Sequence, residues 1–192
     1  MKKSLSTLAA VAALAAASIA QAAPATYAID PTHTFATFEI GHFGASVNRG
    51  RFDKKTGSVQ FDKAAKTGKV ELTIDATSIN TGTPAFDKHL QSADLFDTAK
   101  YPTITFAADK FVFNGDKVSQ VTGTLTLMGK TNPVTLKANQ FNCYESPMLK
   151  REVCGGDFEA TIQRSQFGMA YGLQWGFPDN VRLVVQVEAI KQ

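Results

Sequence analysis

Almost every segment of this chain past its N-terminal stretch repeats with a period of two. Val70-Glu71-Leu72-Thr73-Ile74-Asp75-Ala76 alternates apolar with polar side chains. So do Ile104-Thr105-Phe106, Gly123-Thr124-Leu125-Thr126-Leu127, Val134-Thr135-Leu136-Lys137-Ala138 and Leu183-Val184-Val185-Gln186-Val187-Glu188-Ala189. Successive side chains of a strand point to opposite faces, so this alternation marks strands with one buried and one wet face. Turn signals separate the runs at Lys66-Thr67-Gly68, Asn114-Gly115-Asp116, Met128-Gly129-Lys130 and Pro178-Asp179-Asn180. Asn114-Gly115 is the strongest hairpin signal among them. About eight strands at short spacing predict an all-β fold, a sandwich or a barrel.

No stretch sustains a helical period, and one interruption stands out. Thr83-Pro84-Ala85-Phe86-Asp87-Lys88-His89-Leu90 offers a capping hydroxyl, Pro at the first helical position and an apolar pair four residues apart. One short helix is predicted there, with the loop Ser92–Asp97 after it. No internal repeat or low-complexity linker divides the chain, so it reads as a single domain.

An eight-stranded antiparallel barrel would satisfy every backbone group and leave no open edge. Barrels of this size either fill with side chains or hold one small ligand, and periodicity alone leaves a sandwich open as well. Phe supplies 14 of the aromatic side chains, against 4 Tyr and 1 Trp, so most of the rings carry no polar handle. Phe38, Phe106 and Phe113 fall on inward positions, which favours a dry interior.

The N-terminus reads as an address. Lys2 and Lys3 precede an apolar run from Leu8 to Ala20, which ends in the small-x-small pattern Ala20-Gln21-Ala22-Ala23. That run is short of the ~20 residues a membrane-spanning helix needs. We expect residues 1–22 to be a cleaved signal peptide, with position 23 as the alternative cut, and 23–192 to be an exported, periplasmic domain without a stable membrane anchor. Loss of the two lysines would take the net charge from +3 to +1. With 20 Lys+Arg against 17 Asp+Glu and no basic run past the leader, the chain lacks the footprint of a nucleic-acid binder. Its hydrophobic share of 44% likewise excludes intrinsic disorder. Cys143 and Cys154 suit an oxidising compartment. Their spacing is that of one structural disulfide joining two strands; a redox pair would favour C-x-x-C.

Several groups carry chemistry on paper. His33, His42 and His89 lack the close spacing of a metal site, so no metal ligand is assigned. Asp87, His89 and Asp94 lie close together, and Ser92 completes a nominal Ser-His-Asp set. There is no G-x-S-x-G nucleophile elbow, and no catalytic residue is assigned. His42 and His89 read either as structural hydrogen-bonding groups at a barrel mouth or as part of a polar head-group pocket. Asp87 and Asp94 read as helix caps or as partners of Arg49, Arg51 or Arg164. Arg164, at the end of an alternating strand, faces either a salt bridge to Asp87 or Asp94 or a phosphate or carbonyl at the mouth.

Longer strings resemble the YceI family. Tyr27-Ala28-Ile29-Asp30-Pro31-Thr32-His33 is close to the family's Y-x-I-D-x-x-H-S opening, with Thr34 in place of Ser. Phe38-Glu39-Ile40-Gly41-His42-Phe43-Gly44, Gly50-Arg51-Phe52, Ser78-Ile79-Asn80-Thr81-Gly82, Asp87-Lys88-His89-Leu90 and Asp94-Leu95-Phe96-Asp97 follow in order. Lys100-Tyr101-Pro102-Thr103-Ile104-Thr105-Phe106 is the most specific string. The Gly123–Thr131 stretch and Arg164-Ser165-Gln166-Phe167-Gly168-Met169 complete the set, which spans nearly the whole domain. Asn80 stands where Asp is usual and Lys88 where Arg is usual, and the segment between the cysteines belongs to only some members. The G-x-W signature of lipocalins is missing; the single Trp is Trp175.

The resemblance implies a lipocalin-like extended barrel of eight antiparallel strands with one short helix and an apolar central cavity. It implies a binding or carrier protein, not an enzyme, for a long apolar ligand: a polyisoprenoid, an isoprenoid quinone or a fatty-acyl lipid, with stress-related roles in some members. The alternatives are a quinone-presenting accessory to electron transfer and, further off, a hydrolase or isomerase using Asp87 and His89. Phe38, His42, His89, Phe106, Phe113, Arg164 and Phe167 are the candidate ligand-binding residues. Transient membrane contact and a homodimer are compatible with the family.

Overall fold

The computed structural model describes residues 24–192. The expected signal peptide, residues 1–22, and its cleavage site lie outside the described residues. Eleven strands form one antiparallel sheet: β1 (Ala25–Ile29), β2 (Phe35–His42), β3 (Ser46–Phe52), β4 (Lys55–Asp62), β5 (Thr67–Asp75), β6 (Ile79–Asn80), β7 (Thr103–Asn114), β8 (Lys117–Leu127), β9 (Lys130–Glu145), β10 (Glu152–Gln163) and β11 (Asn180–Lys191). Every period-2 run read from the sequence falls in one of them, apart from Ala76, which opens a 3-10 turn after β5.

These strands make eight staves of one closed barrel. β1 and β2 follow each other along one stave, as β3 and β4 do and as β5 and β6 do: β1 pairs with β4 while β2 pairs with β3, and β4 pairs with β5 while β3 pairs with β6. The other staves are β7 to β11, each bonded to its neighbour in sequence. β11 closes the ring by pairing with β2 over Arg182–Gln186 and with β1 over Ala189–Lys191. Closure leaves no edge, which settles the choice between sandwich and barrel. At the first break Asp30 accepts from the Thr32 N–H and hydroxyl, at 2.8 and 2.6 Å, and turns the chain between β1 and β2.

The short helix is α1 (Pro84–Leu90), seven residues long, with Pro at its start as expected. Its cap differs from the sequence expectation. Thr83 makes no side-chain capping bond, and its carbonyl accepts from Phe86 and Asp87 instead. Asp87 reaches back to accept from the Thr81 N–H (2.7 Å) and hydroxyl (2.6 Å), and that pair anchors the helix start.

β-Bulges decide which residues face inward. Ile104, Phe106 and Ala108 of β7 point into the barrel, and then the register against β8 slips between Ala108 and Lys110. The extra residue flips the alternation, so Phe111 and Phe113 also turn inward while Val112 is 50% exposed. Phe106 and Phe113 are an odd number of residues apart and would face opposite ways on a regular strand. A matching slip between β9 and β10 at Asp157/Phe158 passes over Asn139 and turns Phe141 and Cys143 inward after Val134, Leu136 and Ala138.

The bulges divide the barrel into two halves. The lower half carries the β4–β5, β7–β8 and β9–β10 turns and is solid. Phe61 sits at its centre, with ring centroids of Tyr27, Phe111, Phe113 and Phe141 between 5.7 and 6.4 Å away. The Cys143–Cys154 disulfide joins directly opposed residues of β9 and β10 against this cluster, as expected for a structural bridge. The upper half is roofed by the β2–β3 hairpin, by α1 and its following loop, and by the segment between β10 and β11.

Candidate functional site

The upper half encloses a cavity of about 370 Å³. That lies within the range of small-molecule sites, at its lower end. Its walls are the upper positions of the strands, among them Leu72 and Ile74 of β5, Leu125 and Leu127 of β8, Leu136 of β9, and Val181, Leu183 and Val185 of β11. These aliphatic side chains are too short to meet across the bore, whereas the rings below do meet. Phe38, Phe52 and Phe96 form a second ring cluster in the wall, with centroids 5.5 to 6.2 Å apart. Phe38 crosses Gly50 on the neighbouring strand so closely that a Cβ there would lie 2.4 Å from its ring.

Polar groups are few and collect near the roof. His42 ends β2, with its ring 5.0 Å from Phe43 and 5.6 Å from Phe177. His89 on α1 meets Tyr171 edge-on at 5.3 Å, and Tyr171 meets Trp175 at 5.2 Å. These pairs bring the helix, the β2–β3 hairpin and the segment before β11 together over the opening. Phe43 and Trp175 remain 59% and 56% exposed at this end.

Arg164 opens the 3-10 turn Arg164–Phe167 and is only 3% exposed. Its Nε donates to the Pro178 carbonyl at 2.9 Å, and its Nη1 donates to the carbonyls of Met169 (3.0 Å) and Tyr171 (2.8 Å). The carboxylate of Asp179 accepts from the N–H and hydroxyl of Ser165 next to it. Burial lowers the Arg164 guanidinium below its ordinary value, and the charge of Asp179 partly offsets that. The expected salt bridge to Asp87 or Asp94 is absent among the described residues. Asp87 is held by Thr81, Asp94 is exposed, Arg49 pairs with Glu39 and Arg51 with Asp53. A buried fork with several donors suits converging carbonyls, and the closely spaced chain around residues 164–179 supplies them.

The structure thus places Phe38, His42, His89, Phe106 and Arg164 on the cavity wall. Two expected contacts lie elsewhere. Phe113 stacks on Phe61 in the solid half, centroids 6.0 Å apart, because the β7 bulge delivers it there. Phe167 is 1% exposed and packs in the core beneath its own turn, outside the cavity lining. Sequence reasoning missed Phe52 and Phe96, although Phe96 sits in the recognisable Asp94-Leu95-Phe96-Asp97 string. It also missed Met169, which ends the Arg164–Met169 string, and Tyr171, Trp175 and Phe177, which lie in a segment without periodicity.

The nominal acid–base set does not assemble. The Ser92 hydroxyl donates to the His89 carbonyl at 2.7 Å, the Asp87 carboxylate is occupied by Thr81, and the His89 ring packs on Tyr171. His33 accompanies Asp30 at 2.7 Å on the β1–β2 turn, outside the cavity lining that holds His42 and His89. Among the described residues the one group with metal-ligand spacing is Cys143, Glu152 and Cys154, and both of its sulfurs are in the disulfide.

A closed antiparallel barrel, solid at one end and hollow and apolar at the other, defines a barrel of the ligand-holding class. The chain belongs to the YceI family: the YceI-like domain matches residues 27–189. It is 38% identical over 195 residues to a UPF0312 protein of Pseudomonas aeruginosa (strain LESB58), covering 100% of both chains. The Campylobacter jejuni YceI crystal structure is 29% identical, covers 80% of this chain and 90% of its own, and superposes with a TM-score of 0.69. A polyisoprenoid binding domain from Saccharophagus degradans shares the fold, with a TM-score of 0.64 at 17% identity over 86% of this chain and 98% of that one.

Proposed function

We propose that the protein carries one long apolar chain, a polyisoprenoid, isoprenoid quinone or fatty-acyl lipid, in the upper half of its barrel. The cavity carries this reading: about 370 Å³ walled by aliphatic and aromatic side chains, with polar groups confined to the roof. An apolar chain in this space would gain dispersion contacts with the wall on every side. The Saccharophagus degradans neighbour, described as a polyisoprenoid binding domain, supports a chain of this kind. We place the protein in the periplasm, after removal of its leader.

Mass spectrometry of an organic extract from natively purified protein tests the reading and should recover one stoichiometric apolar chain. Extraction should also lower the melting temperature, since a ligand at a hundredfold excess over its dissociation constant stabilises by ~2.7 kcal/mol. An empty extract with unchanged melting would leave a barrel without cargo. Intact mass of protein from the native host should show Ala23 or Pro24 at the N-terminus, and a retained Met1 would sink export by cleavage.

A further inference from the structure

The chain between β6 and β7 is bonded to itself more than to the barrel around it. The ladder between β5 and β7 ends at Asp75 and Thr103, and the last bond across that seam runs from the Ala76 N–H to the Pro102 carbonyl at 2.9 Å. Beyond it β6 pairs with β3 alone, so no ladder joins β6 to β7. Residues 81–101 fill the gap and place Phe86, His89, Leu90, Leu95 and Phe96 on the cavity lining.

Every backbone-to-backbone hydrogen bond of this segment stays within it, such as Phe96 to the Leu90 carbonyl and Asp97 to the Ser92 carbonyl. No ion pair among the described residues involves it. Two side-chain bonds leave it, and both end on the chain just before it. Gln91 Nε2 donates to the Thr77 carbonyl at 3.1 Å, and Asn80 Oδ1 accepts from the Gly82 N–H at 2.8 Å. Apolar contact does the rest. Phe96 lies against Phe38 and Phe52, with centroids 6.1 and 5.5 Å away, and Leu90 is buried.

Opening the barrel wall anywhere else would strip a strand ladder of its hydrogen bonds, which is costly in an apolar interior. Moving this segment outward parts apolar faces and breaks at most the two side-chain bonds. Units with few bonds to their surroundings are the parts of a fold that open at least cost. We propose that residues 81–101 are a gate in the side of the barrel, which turns outward as one body and lets the apolar chain pass between β6 and β7. This rests on the reading of the cavity as a chain-binding site. The Ala76–Pro102 bond ties the base of the gate, and a chain lying against Leu90 and Phe96 holds it shut.

Thr77 on the base and Gln91 on the gate both lie off the cavity lining, and the native cysteines are paired with each other. T77C/Q91C therefore offers two thiols that a short bis-maleimide can bridge, with N-ethylmaleimide capping as the control. Stopped flow follows uptake of a fluorescent fatty-acyl probe by lipid-free protein, and excess phosphatidylcholine vesicles draw it out again. Bridging should slow uptake and release at least about tenfold relative to capped protein, because both wait on the gate, and should leave the equilibrium affinity little changed. Equal rates in bridged and capped protein overturn the gate and leave the chain-binding reading standing. No binding of the probe by wild-type protein removes both.

Q91A decides the matter if the double variant does not fold or bridge, since it deletes only the tie to Thr77. It should speed uptake and release by about fivefold, the worth of one hydrogen bond expressed as a rate. Unchanged rates in Q91A overturn the gate.

Discussion

The two halves of this barrel are built on the same eight staves, yet one is solid and the other hollow. Below the bulges, Phe61 is ringed by Tyr27, Phe111, Phe113 and Phe141 and closes the bore with its own neighbours. Above them, the inward positions of β5, β8, β9 and β11 hold Leu, Ile and Val, and about 370 Å³ stays open. Side-chain length and bulge position make the difference. The solid half supplies stability, and the hollow half is the part whose stability should depend on a ligand.

The largest effect expected is from the solid half. Phe61→Ala removes the hub of the ring cluster and should cost about 3–5 kcal/mol. The loss should be the same in lipid-loaded and lipid-free protein when read by denaturant midpoints. A loss that depended on lipid would mean that the ligand reaches the lower half and that the division is wrong.

Replacing both cysteines by serine should cost ~3 kcal/mol, the loop-entropy value for a bridge of this span. The disulfide lies in the solid half, so calorimetric affinity for an apolar chain should be unchanged. A weaker chain affinity in the double variant would tie the two halves together.

Phe106→Ala probes the hollow wall. In lipid-free protein it should approach the ordinary cost of a large-to-small core change, about 3 kcal/mol at most. With a chain bound, methylene groups can occupy the added space, so the loss should be smaller by about 1 kcal/mol or more. Paired melting curves read this difference, and equal losses would mean that no chain lies against Phe106.

The smallest effect expected is from acid. Desolvation opposes ionisation of Asp30, but hydrogen bonds from His33 and Thr32 outweigh it and bring the carboxyl down to about 2. Burial likewise works against Glu152, and Lys63 and Tyr27 outweigh it with hydrogen bonds of 2.5 Å each. A carboxyl lowered on folding stabilises above its unfolded pKa, and that contribution fades as pH falls through the folded value. Stability should therefore hold down to about pH 4 and decline from there towards pH 2. Glu152 braces the solid half, so E152Q should lose part of that decline in urea titrations across the range. An unchanged profile would mean that these pairs do not couple to folding.

Much of the architecture was legible in the alternation, since a strand with one wet face can only be written that way. The runs in β5, β7, β8, β9 and β11, the short helix at Pro84 and the cysteine bridge all follow from local chemistry. The wall residues Phe38 and Phe106 followed from the same parity. Phe113 did not, because one extra residue in β7 reverses the faces beyond it. Thr83 failed as a side-chain cap because Asp87 and Thr81, three-dimensional neighbours across the Gly82 turn, make a better anchor. The roof residues Tyr171, Trp175 and Phe177 gave no signal, because irregular chain has no period to read.

The sequence by itself determined that this chain makes a meander of half-buried strands and resembles one family along nearly its full length. Those are properties of neighbours in sequence, set by side-chain direction, turn chemistry and motif order. Only the tertiary structure decided where the barrel is hollow and that the buried Arg164 guanidinium meets three backbone carbonyls. Both depend on side chains from distant strands meeting or failing to meet across the bore. A single bulge changes that outcome by reversing the faces of the strand beyond it.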